Sequence, residues 1–542
     1  MKGVIGPHEL VECILEAIKL QMSHTSYTIL VFRKLMESRH GSEFRQYART
    51  SLMIEALLNY LPNCHQAETP KQSVIASGNK FEVIDCCRIL MSSEQRIGKL
   101  AKDDPAISLR KKFIEMGGVD RMLEVIRDDV EEPVLSAATG ALKAIVKMKG
   151  SEDVAQSLVR KGAIQLLAAR LDHGSPILVQ NCLICMANIC DQKLALEAQS
   201  IEKAAISQTI NVIGTSDILI DQFSSAFIVN VSTIARFKPT VIASGAVRIL
   251  LRAIDHHAFM FFQSKVDFRK VLSKPYVDVL DNSIRVIAYL SRGISHAAAK
   301  RVQLELCAFD NSLQLFANLL KAQPRPSTAL SKSARKFRFL VRENLIQLRR
   351  HVLLIVQRNL QMFDGQNPFR ECIRKFPEPD VFPRAAFEMV FELNDALTRI
   401  RAEGDSTQSS IQLETQEIKK LIFNFSIPLI EDFSRREEFV SGTAACLQAD
   451  PFVSFFASFG RHDVQTELKL VEFCRGFANP SKVGNGNVEV YRTAFPLNTI
   501  EGIVRRILKR SGEVSNAYEQ LVVLDMHPTE GFIPSDSMEM DY

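Results

Sequence analysis

Cys182 and Cys185 are separated by two residues, a spacing that can bind a metal ion or form a redox pair. A zinc site built on this spacing needs a second pair of ligands, and the sequence has none at a suitable distance. Both cysteines lie in a nearly apolar stretch, residues 179–190, so we interpret them as core thiols. His256 and His257 are adjacent, and adjacent positions on a helix point apart, which makes them poor ligands for one ion. The sequence therefore predicts no metal site.

Motifs of the common enzyme classes are absent from the sequence. It contains no Gly-x-x-x-x-Gly-Lys-Ser/Thr phosphate loop, no Gly-x-Gly-x-x-Gly, no His-Glu-x-x-His and no Gly-x-Ser-x-Gly. Each of these motifs places a phosphate-binding backbone, a metal ligand or a nucleophile where its reaction needs it. We therefore expect a protein that is not an enzyme and uses no cofactor.

The most basic part of the chain is residues 321–350, which contain nine lysines and arginines and one acid, Glu343. One interpretation is a helix with a solvated basic face. The other is a docking site for an acidic protein, a phosphorylated segment or nucleic acid. Because the whole chain has 67 basic and 62 acidic residues, its charge balance argues against a nucleic-acid-binding protein. The candidate binding residues in this segment are Lys332, Arg335, Lys336 and Arg338.

The overall composition is that of an ordinary globular protein, with 46% hydrophobic and 24% charged residues. No stretch approaches the roughly 18 consecutive apolar residues of a transmembrane helix, so we expect no membrane span. The N-terminal residues do not resemble a secretory signal, and the 11 cysteines follow no disulfide spacing. We expect a protein of the cytoplasm, with the nucleus as a second location.

A short pattern recurs along the middle of the chain. It reads FIEMGGV at residues 113–119, LVRKGAI at 158–164 and VIASGAV at 241–247. The first two glycines, Gly117 and Gly162, are 45 residues apart, and Gly245 follows after another 83. The second gap is about twice the roughly 40–47-residue period of helical repeats. A further copy is therefore expected near residue 204, where Ala204 takes the place of the glycine.

Each copy predicts three helices. The first ends at the glycine, which suits the left-handed turn at a helix C-terminus, and the second follows at once. A polar break and a proline, such as Pro176, precede the third helix. The third helices are apolar on nearly every side, which indicates neighbours on several faces. The predicted core residues are Leu167, Leu183, Ile189, Ile228 and Val231.

The pattern Gly162-Ala-Ile164, Pro176, Val179-Gln180 and Ala187-Asn188-Ile189 resembles an armadillo repeat. The resemblance implies an all-α fold: a right-handed superhelical solenoid of stacked repeats, flanked here by irregular helices. It covers four stretches, residues 107–149, 152–193, 194–237 and 238–293.

In armadillo proteins the third helices line a concave groove, where an asparagine grips the backbone of an extended peptide. By residue alignment this position falls at Ala144, Asn188, Asn230 and Tyr289. A side-chain amide suits the role because it both donates and accepts hydrogen bonds. The other interpretation is that Asn188 and Asn230 cap or bridge neighbouring repeats. With Arg285 one turn before Tyr289, the resemblance implies a strip that binds a segment with an acidic or aromatic side chain.

The resemblance leaves two functions open. The first is a scaffold or adaptor in signalling that binds a segment of a partner protein in the groove. The alternative is a regulator of a folded client such as a GTPase, acting as an exchange factor or chaperone. Nuclear import adaptors of this family carry tryptophans beside the groove asparagines, and the absence of tryptophan from this chain argues against that role.

The sequence also predicts how the chain is divided. Within the first region we expect a polar loop at residues 62–80, followed by a helix at 81–100. The four regions are N-terminal helical cap repeats (1–104), armadillo repeats with an insertion at about 255–280 (105–293), divergent helical repeats with long loops (294–524) and an acidic, disordered tail (525–542).

Overall fold

The structure is a computed structural model. Its described part consists of helices joined by turns and short irregular segments, and it contains no strand. The described residues are 6–21, 24–39, 41–50, 52–62, 70–92, 105–146, 152–191, 201–215, 217–263, 273–292, 294–309, 311–321, 332–361, 367–402, 415–416 and 418–448, with 473, 477, 487, 490 and 491.

The chain forms two compact units, one of residues 1–315 and 324–362 and the other of 316–323 and 363–542. The helices of the first unit are α1 (Pro7–Lys19), α2 (Thr25–Glu37), α3 (Gly41–Thr50), α4 (Met53–Tyr60), α5 (Pro70–Met91), α6 (Pro105–Glu115), α7 (Gly118–Asp128), α8 (Glu132–Val146), α9 (Glu152–Arg160), α10 (Ala163–Ala168), α11 (Pro176–Cys190), α12 (Lys203–Asn211), α13 (Ile218–Ser232), α14 (Lys238–Ala243), α15 (Ala246–Gln263), α16 (Ser273–Leu290) and α17 (His296–Ala308), then α18 (Ser312–Lys321), which spans both units, and α19 (Lys332–Gln361). The second unit contains α20 (Pro368–Lys375), α21 (Val381–Ala402), α22 (Ile427–Ser434) and α23 (Val440–Gln448).

The recurring glycines separate the first and second helices of their repeats, as the sequence predicts. Gly117 and Gly162 adopt left-handed backbone conformations, with φ of 72° and 74°, immediately before α7 and α10. A side chain at such a φ is strained, which explains glycine there. The third copy differs: Ala204 lies inside α12, and Glu202, with an extended backbone, precedes that helix. A helix can therefore start at this place without a left-handed residue.

The third helices of successive repeats lie side by side and form a continuous row through the first unit. Each packs against the next in the order α2, α5, α8, α11, α13, α16 and α19. A helix between two neighbours and beneath the second helix of its own repeat must be apolar on several faces. The five predicted core side chains are buried accordingly: Leu167, Leu183, Ile189, Ile228 and Val231.

Side-chain caps fix where two of these third helices begin. The Ser175 hydroxyl accepts a hydrogen bond from the Leu178 amide at the start of α11. The Asp217 carboxylate accepts from the amides of Leu219 and Ile220 at the start of α13, at 2.9 and 3.1 Å. These bonds satisfy amides that have no partner within the helix, so both polar breaks end at defined residues.

The cysteines of α11 are core residues. Cys182 and Cys185 are buried, and the Cys185 thiol donates to the backbone oxygen of Thr139 on α8 at 3.4 Å. Burial raises the pKa of the Cys182 thiol well above its ordinary value. A neutral buried thiol of this kind packs as a small apolar side chain.

The structure differs from the sequence prediction in the N-terminal region. Helix α5 begins at Pro70, whereas the sequence predicted a loop over residues 62–80. After residue 293, α17, α18 and α19 follow in order, and α19 packs on α16 as a third helix does. Both α5 and α19 gain their partners from helices distant in sequence, which local patterns do not reveal. The predicted division at residues 104, 293 and 524 stays a prediction, and the tail at 525–542 lies outside the described residues.

Helix α15 lengthens the fourth repeat. It continues to Gln263, and α16 begins at Ser273, so both ends of the predicted insertion at about 255–280 are helical. The buried His257 on this extension pairs with the buried Asp221 of α13, with 2.6 Å between Nε2 and Oδ2. The exposed His256 lies beside it, with 5.0 Å between the two ring centroids.

Within the described residues, no single helix is both long and apolar enough to span a membrane. Only Ile218–Ser232 taken together with Ala235–Ala243 reaches that length and composition, and these two segments are bent by 113°.

The second unit has an aromatic core. The rings of Phe387, Phe473 and Phe477 contact one another, and Tyr491 lies against Phe477. The buried Tyr491 hydroxyl donates to the backbone oxygen of Ser434 at 2.9 Å, which satisfies its polar end.

Leu183→Ala should destabilise the first unit by roughly 2–5 kcal/mol, because it removes a fully buried side chain between two packed helices. Urea unfolding followed by circular dichroism measures this loss. Ile177→Ala is the matched control, since Ile177 lies on the same helix and is 63% exposed. Equal destabilisation by the two variants would contradict the assignment of α11 as a central helix.

The contact between Lys80 of α5 and Asp129 after α7 should make the free energy of unfolding depend on pH in the acidic range. Burial alone would raise the pKa of Asp129, but bonds from Lys80 at 2.7 Å and from the amides of Val130 and Glu131 lower it overall. The folded pKa is therefore below the unfolded value of about 3.9. The stabilisation is complete above the unfolded pKa and is lost as pH falls through the folded pKa.

Lys80→Met should therefore lower the free energy of unfolding at neutral pH, and the difference from wild type should shrink as pH falls below about 4. Urea unfolding across this range measures the difference. A pH-independent difference would assign the effect of Lys80 to packing.

Candidate functional site

Polar side chains on the third helices connect neighbouring repeats. Between α8 and α11, Asn181 donates to the Ser136 backbone oxygen at 3.3 Å and accepts from Lys143. Between later repeats, Gln180 donates to Asp217 at 3.0 Å, and Gln222 donates to Asp278 at 2.6 Å. The surface of the third helices is therefore a ladder of inter-repeat hydrogen bonds as well as a packed layer.

Asn188 and Asn230, predicted from the sequence to bind a peptide backbone, use their amide donors within the protein. The Asn188 Nδ2 donates to the Ile184 backbone oxygen of the same helix at 2.7 Å. The Asn230 Nδ2 donates to the Ala187 backbone oxygen of α11 at 3.1 Å. Asn230 thus makes the inter-repeat bridge considered as the alternative. Within the described residues neither Oδ1 accepts a hydrogen bond, and both side chains are half-buried.

Arg285 and Tyr289 lie one turn apart on α16, as predicted, and interact with each other. The Arg285 guanidinium lies beside Tyr289 and 3.6 Å from the Asp281 carboxylate. Burial alone would lower the pKa of Arg285, but the interactions with Tyr289 and with the charge of Asp281 raise it overall. The Arg285 side chain is 34% exposed, so solvent reaches part of it.

Arg350 and Arg358 of α19 also interact with Tyr289, and Lys238 and Arg292 lie at the C-terminal end of α16. Arg358 of α19 donates to the Ala288 backbone oxygen at 2.6 Å, and Lys238 of α14 donates to the Arg292 backbone oxygen at 2.6 Å. Such cations are favoured at a helix C-terminus, where backbone carbonyls carry partial negative charge. We call Tyr289 together with Lys238, Arg285, Arg292, Arg350 and Arg358 the Tyr289 cluster.

The cations of the Tyr289 cluster act on one another. Burial lowers the pKa of Lys238, and the charges of Arg358 and Arg292 lower it further. The pKa of Arg358 is lowered by burial and by Arg292 and Arg350. Burial also lowers the pKa of Arg350, opposed by the nearby Tyr289. Asp281 forms an ion pair with Arg285. The site therefore brings several positive charges close together.

The chain resembles known proteins in its fold and not in its sequence. No protein-family model matches the sequence, and no curated protein matches it. A solved structure concerning a phosphorylation switch in the interaction between cadherin and beta-catenin aligns with a TM-score of 0.58, at 14% identity, over 92% of this chain and 85% of that chain. A designed armadillo repeat protein aligns with a TM-score of 0.36, at 16% identity, over 55% of this chain and 99% of its own.

The chain has an armadillo-repeat fold. The predicted all-α armadillo-type solenoid is thereby confirmed. At this level of identity the likeness concerns the fold alone, so the site rests on this chain's own residues.

Sequence alignment to the armadillo pattern found Arg285 and Tyr289 but missed the rest of the Tyr289 cluster. Lys238 begins a repeat, Arg292 follows α16, and Arg350 and Arg358 belong to a helix that the sequence placed outside the armadillo repeats. The basic composition of residues 321–350 was the available signal, and Arg350 stands at its end.

The four predicted residues of the basic segment fall at the start of α19. The side chains of that helix are described only from Ile346 onward, so these residues lie outside the part that can be compared. Their role stays a prediction for Lys332, Arg335, Lys336 and Arg338.

Asn230→Ala should cost about 0.5–1.5 kcal/mol of unfolding free energy, because it removes a hydrogen bond between α11 and α13. Asn188→Ala should cost less, since its acceptor belongs to the same helix and alanine has a higher helix propensity. Urea unfolding of the two variants compares them directly. If Asn188→Ala is the more damaging substitution, the bridging assignment of Asn230 is wrong.

Proposed function

We propose that this protein is a non-enzymatic scaffold that binds an extended segment of a partner protein along its third helices. The acidic part of that segment binds at the Tyr289 cluster. The observation that carries the proposal is the group of cations at the C-terminal end of α16. Arg358 and Lys238 donate to backbone oxygens there, and Arg285 lies one turn before Tyr289 with its side chain 34% exposed.

The cluster suits an acidic ligand because its cations are already positioned. Carbonyl hydrogen bonds fix the head groups of Lys238 and Arg358, and the ion pair with Asp281 orients Arg285. Side chains that are ordered before binding lose little rotamer entropy when the ligand arrives. Guanidinium groups also match the two oxygens of a carboxylate with paired donors. The tyrosine ring adds an apolar surface for an aromatic neighbour in the segment.

Asn188 and Asn230 support the proposal in a narrower way than the sequence predicted. One of the two amide N–H groups of each residue is used within the protein, so Oδ1 and at most one N–H remain for the backbone of the segment. The two residues lie on adjacent third helices, which a segment crossing both would meet in turn. We therefore assign them a supporting role, with most of the affinity expected from Arg285 and its neighbours.

The fold also supports a binding role. The structure with a TM-score of 0.58 concerns an interaction between two proteins, cadherin and beta-catenin. A solenoid offers a long continuous surface for such a partner because each repeat adds one third helix to it. A folded client such as a GTPase remains the competing function, and it would have to contact the solenoid over a wider surface.

Selection of binders from a random peptide library tests the proposal. Wild-type protein should select acidic peptides, and an acidic peptide labelled with fluorescein should bind in an anisotropy titration. Arg285→Glu should weaken this binding by roughly tenfold or more, equivalent to about 1.4 kcal/mol, because it places like charges together. Arg127→Glu, at an exposed position on α7, is the control and should bind like wild type.

Two results would contradict the proposed binding of an acidic segment at the Tyr289 cluster. One is selection of basic or uncharged peptides, and the other is an equal loss of binding for Arg285→Glu and Arg127→Glu. Selection of no peptide, together with nucleotide-dependent binding of a purified GTPase, would favour the folded-client function.

A further inference from the structure

A cleft of about 280 Å³ opens between α15 and the turn that joins α17 to α18. Helix α15 is the second helix of the fourth repeat, and it packs against α17. The cleft is therefore formed by helices outside the row of third helices, on which Arg285 and Tyr289 lie. Its lining residues are Arg248, Arg252, Asp255, Ala308, Phe309 and Asn311.

Arg248 and Arg252 are one helical turn apart on α15 and line the same cleft. Like charges at this spacing repel each other. Both residues are exposed, and within the described part of the chain neither makes a hydrogen bond or an ion pair. Asp255, three residues after Arg252, forms no ion pair with either arginine among these described contacts. An anion that enters the cleft therefore meets guanidinium donors that the described residues do not use.

The charge of the cleft matches a carboxylate better than a phosphate. Its described lining residues are two arginines and one aspartate, which leaves one positive charge in excess. One carboxylate balances this excess, and guanidinium groups match its two oxygens with paired donors. A phosphate monoester, which carries about −1.5 to −2 at neutral pH, would exceed it in the presence of Asp255.

The other lining residues suit the atoms that surround a carboxylate at the end of a peptide. The Asp255 carboxylate can accept from a backbone N–H, and the Asn311 amide can both donate and accept. The half-buried Phe309 offers an apolar surface for a side chain. Pockets for drug-sized ligands are roughly 300–1,000 Å³, so a cleft of about 280 Å³ suits a single residue better than a long segment.

We propose that this cleft binds the C-terminal residue of a partner protein, with the free carboxylate on Arg248 and Arg252 and an apolar side chain against Phe309. A terminal residue carries a carboxylate, a backbone N–H and a side chain together. In an internal acidic residue the side chain is itself the carboxylate, so nothing is left to contact Phe309. The site goes beyond the proposed function because it uses other helices and needs no acidic segment.

Fluorescence anisotropy with the full chain and fluorescein-labelled peptides tests the proposal. The probes are Gly-Ser-Gly-Ser followed by Phe, Leu or Val, each made with a free C-terminal carboxylate and as the amide. At least one free form should bind roughly tenfold or more tightly than its amide, because only the free form carries the carboxylate. An amidated probe, Gly-Ser-Gly-Glu-Phe, carries an internal acid and should bind as weakly as the other amides.

Substitution of the two arginines locates the binding. The cleft variant is Arg248→Gln with Arg252→Gln, and it should bind the free-ended probe roughly tenfold or more weakly than wild type. The control is Lys111→Gln with Arg127→Gln, which removes the same charge from exposed positions on α6 and α7 and should bind like wild type. Thermal unfolding checks that the variants fold, and Arg252→Gln alone replaces the pair if its melting temperature falls.

Three results would overturn the inference: no preference for a free C-terminus in any probe, equal binding of the internal-glutamate probe, or equal losses in the cleft and control variants. Amidated acidic peptides and Arg285→Glu test the proposed function separately. A free-ended probe that is lost in Arg285→Glu and retained in the cleft variant would place the carboxylate at the Tyr289 cluster. That result rejects the cleft site and leaves the proposed function standing.

Discussion

The side-by-side packing of third helices is the interaction on which the rest of the first unit depends. A helix such as α11 has neighbours on both sides and a second helix above it, so its sequence is apolar almost all round. Polar residues on these helices occur where they can bridge to the next repeat, as Asn181 and Asn230 do. Because each repeat contacts mainly its neighbours, stability accumulates along the row and not around one centre.

Hydrogen bonds between helices also determine where positive charge gathers on the surface. Arg358 and Lys238 connect α19 and α14 to the end of α16, and in doing so they bring two cations beside Arg285 and Arg292. Burial among neighbours then makes each positive charge more costly, as their lowered pKa values indicate. A cluster built by structural contacts thus becomes a place where an anion is favoured. The same side chains contribute to stability and to binding at this junction. A substitution there should therefore be tested for its effect on both the free energy of unfolding and the affinity for a ligand.

The sequence predicted the parts of the fold that short-range patterns specify. Gly117 and Gly162 marked helix boundaries because the left-handed backbone needs glycine, and Leu183 and Val231 were identified as core because the third helices are apolar on nearly every side. The beginning of α5 was missed, since it depends on partners distant in sequence. For the site, alignment located Arg285 and Tyr289. It could not show that Asn230 bridges to Ala187, or that Lys238 and Arg358 converge from other helices.

The central claim is that the row of third helices is the binding surface of this protein. Hydrogen–deuterium exchange with and without a bound acidic peptide tests it most directly, because backbone exchange reports where a ligand protects the chain. The account predicts slower exchange in α16 and α19, centred on residues 276–290 and 346–361, with no change in the outer helices α12 and α15. Protection confined to α12 and α15, with α16 and α19 unchanged, would contradict it.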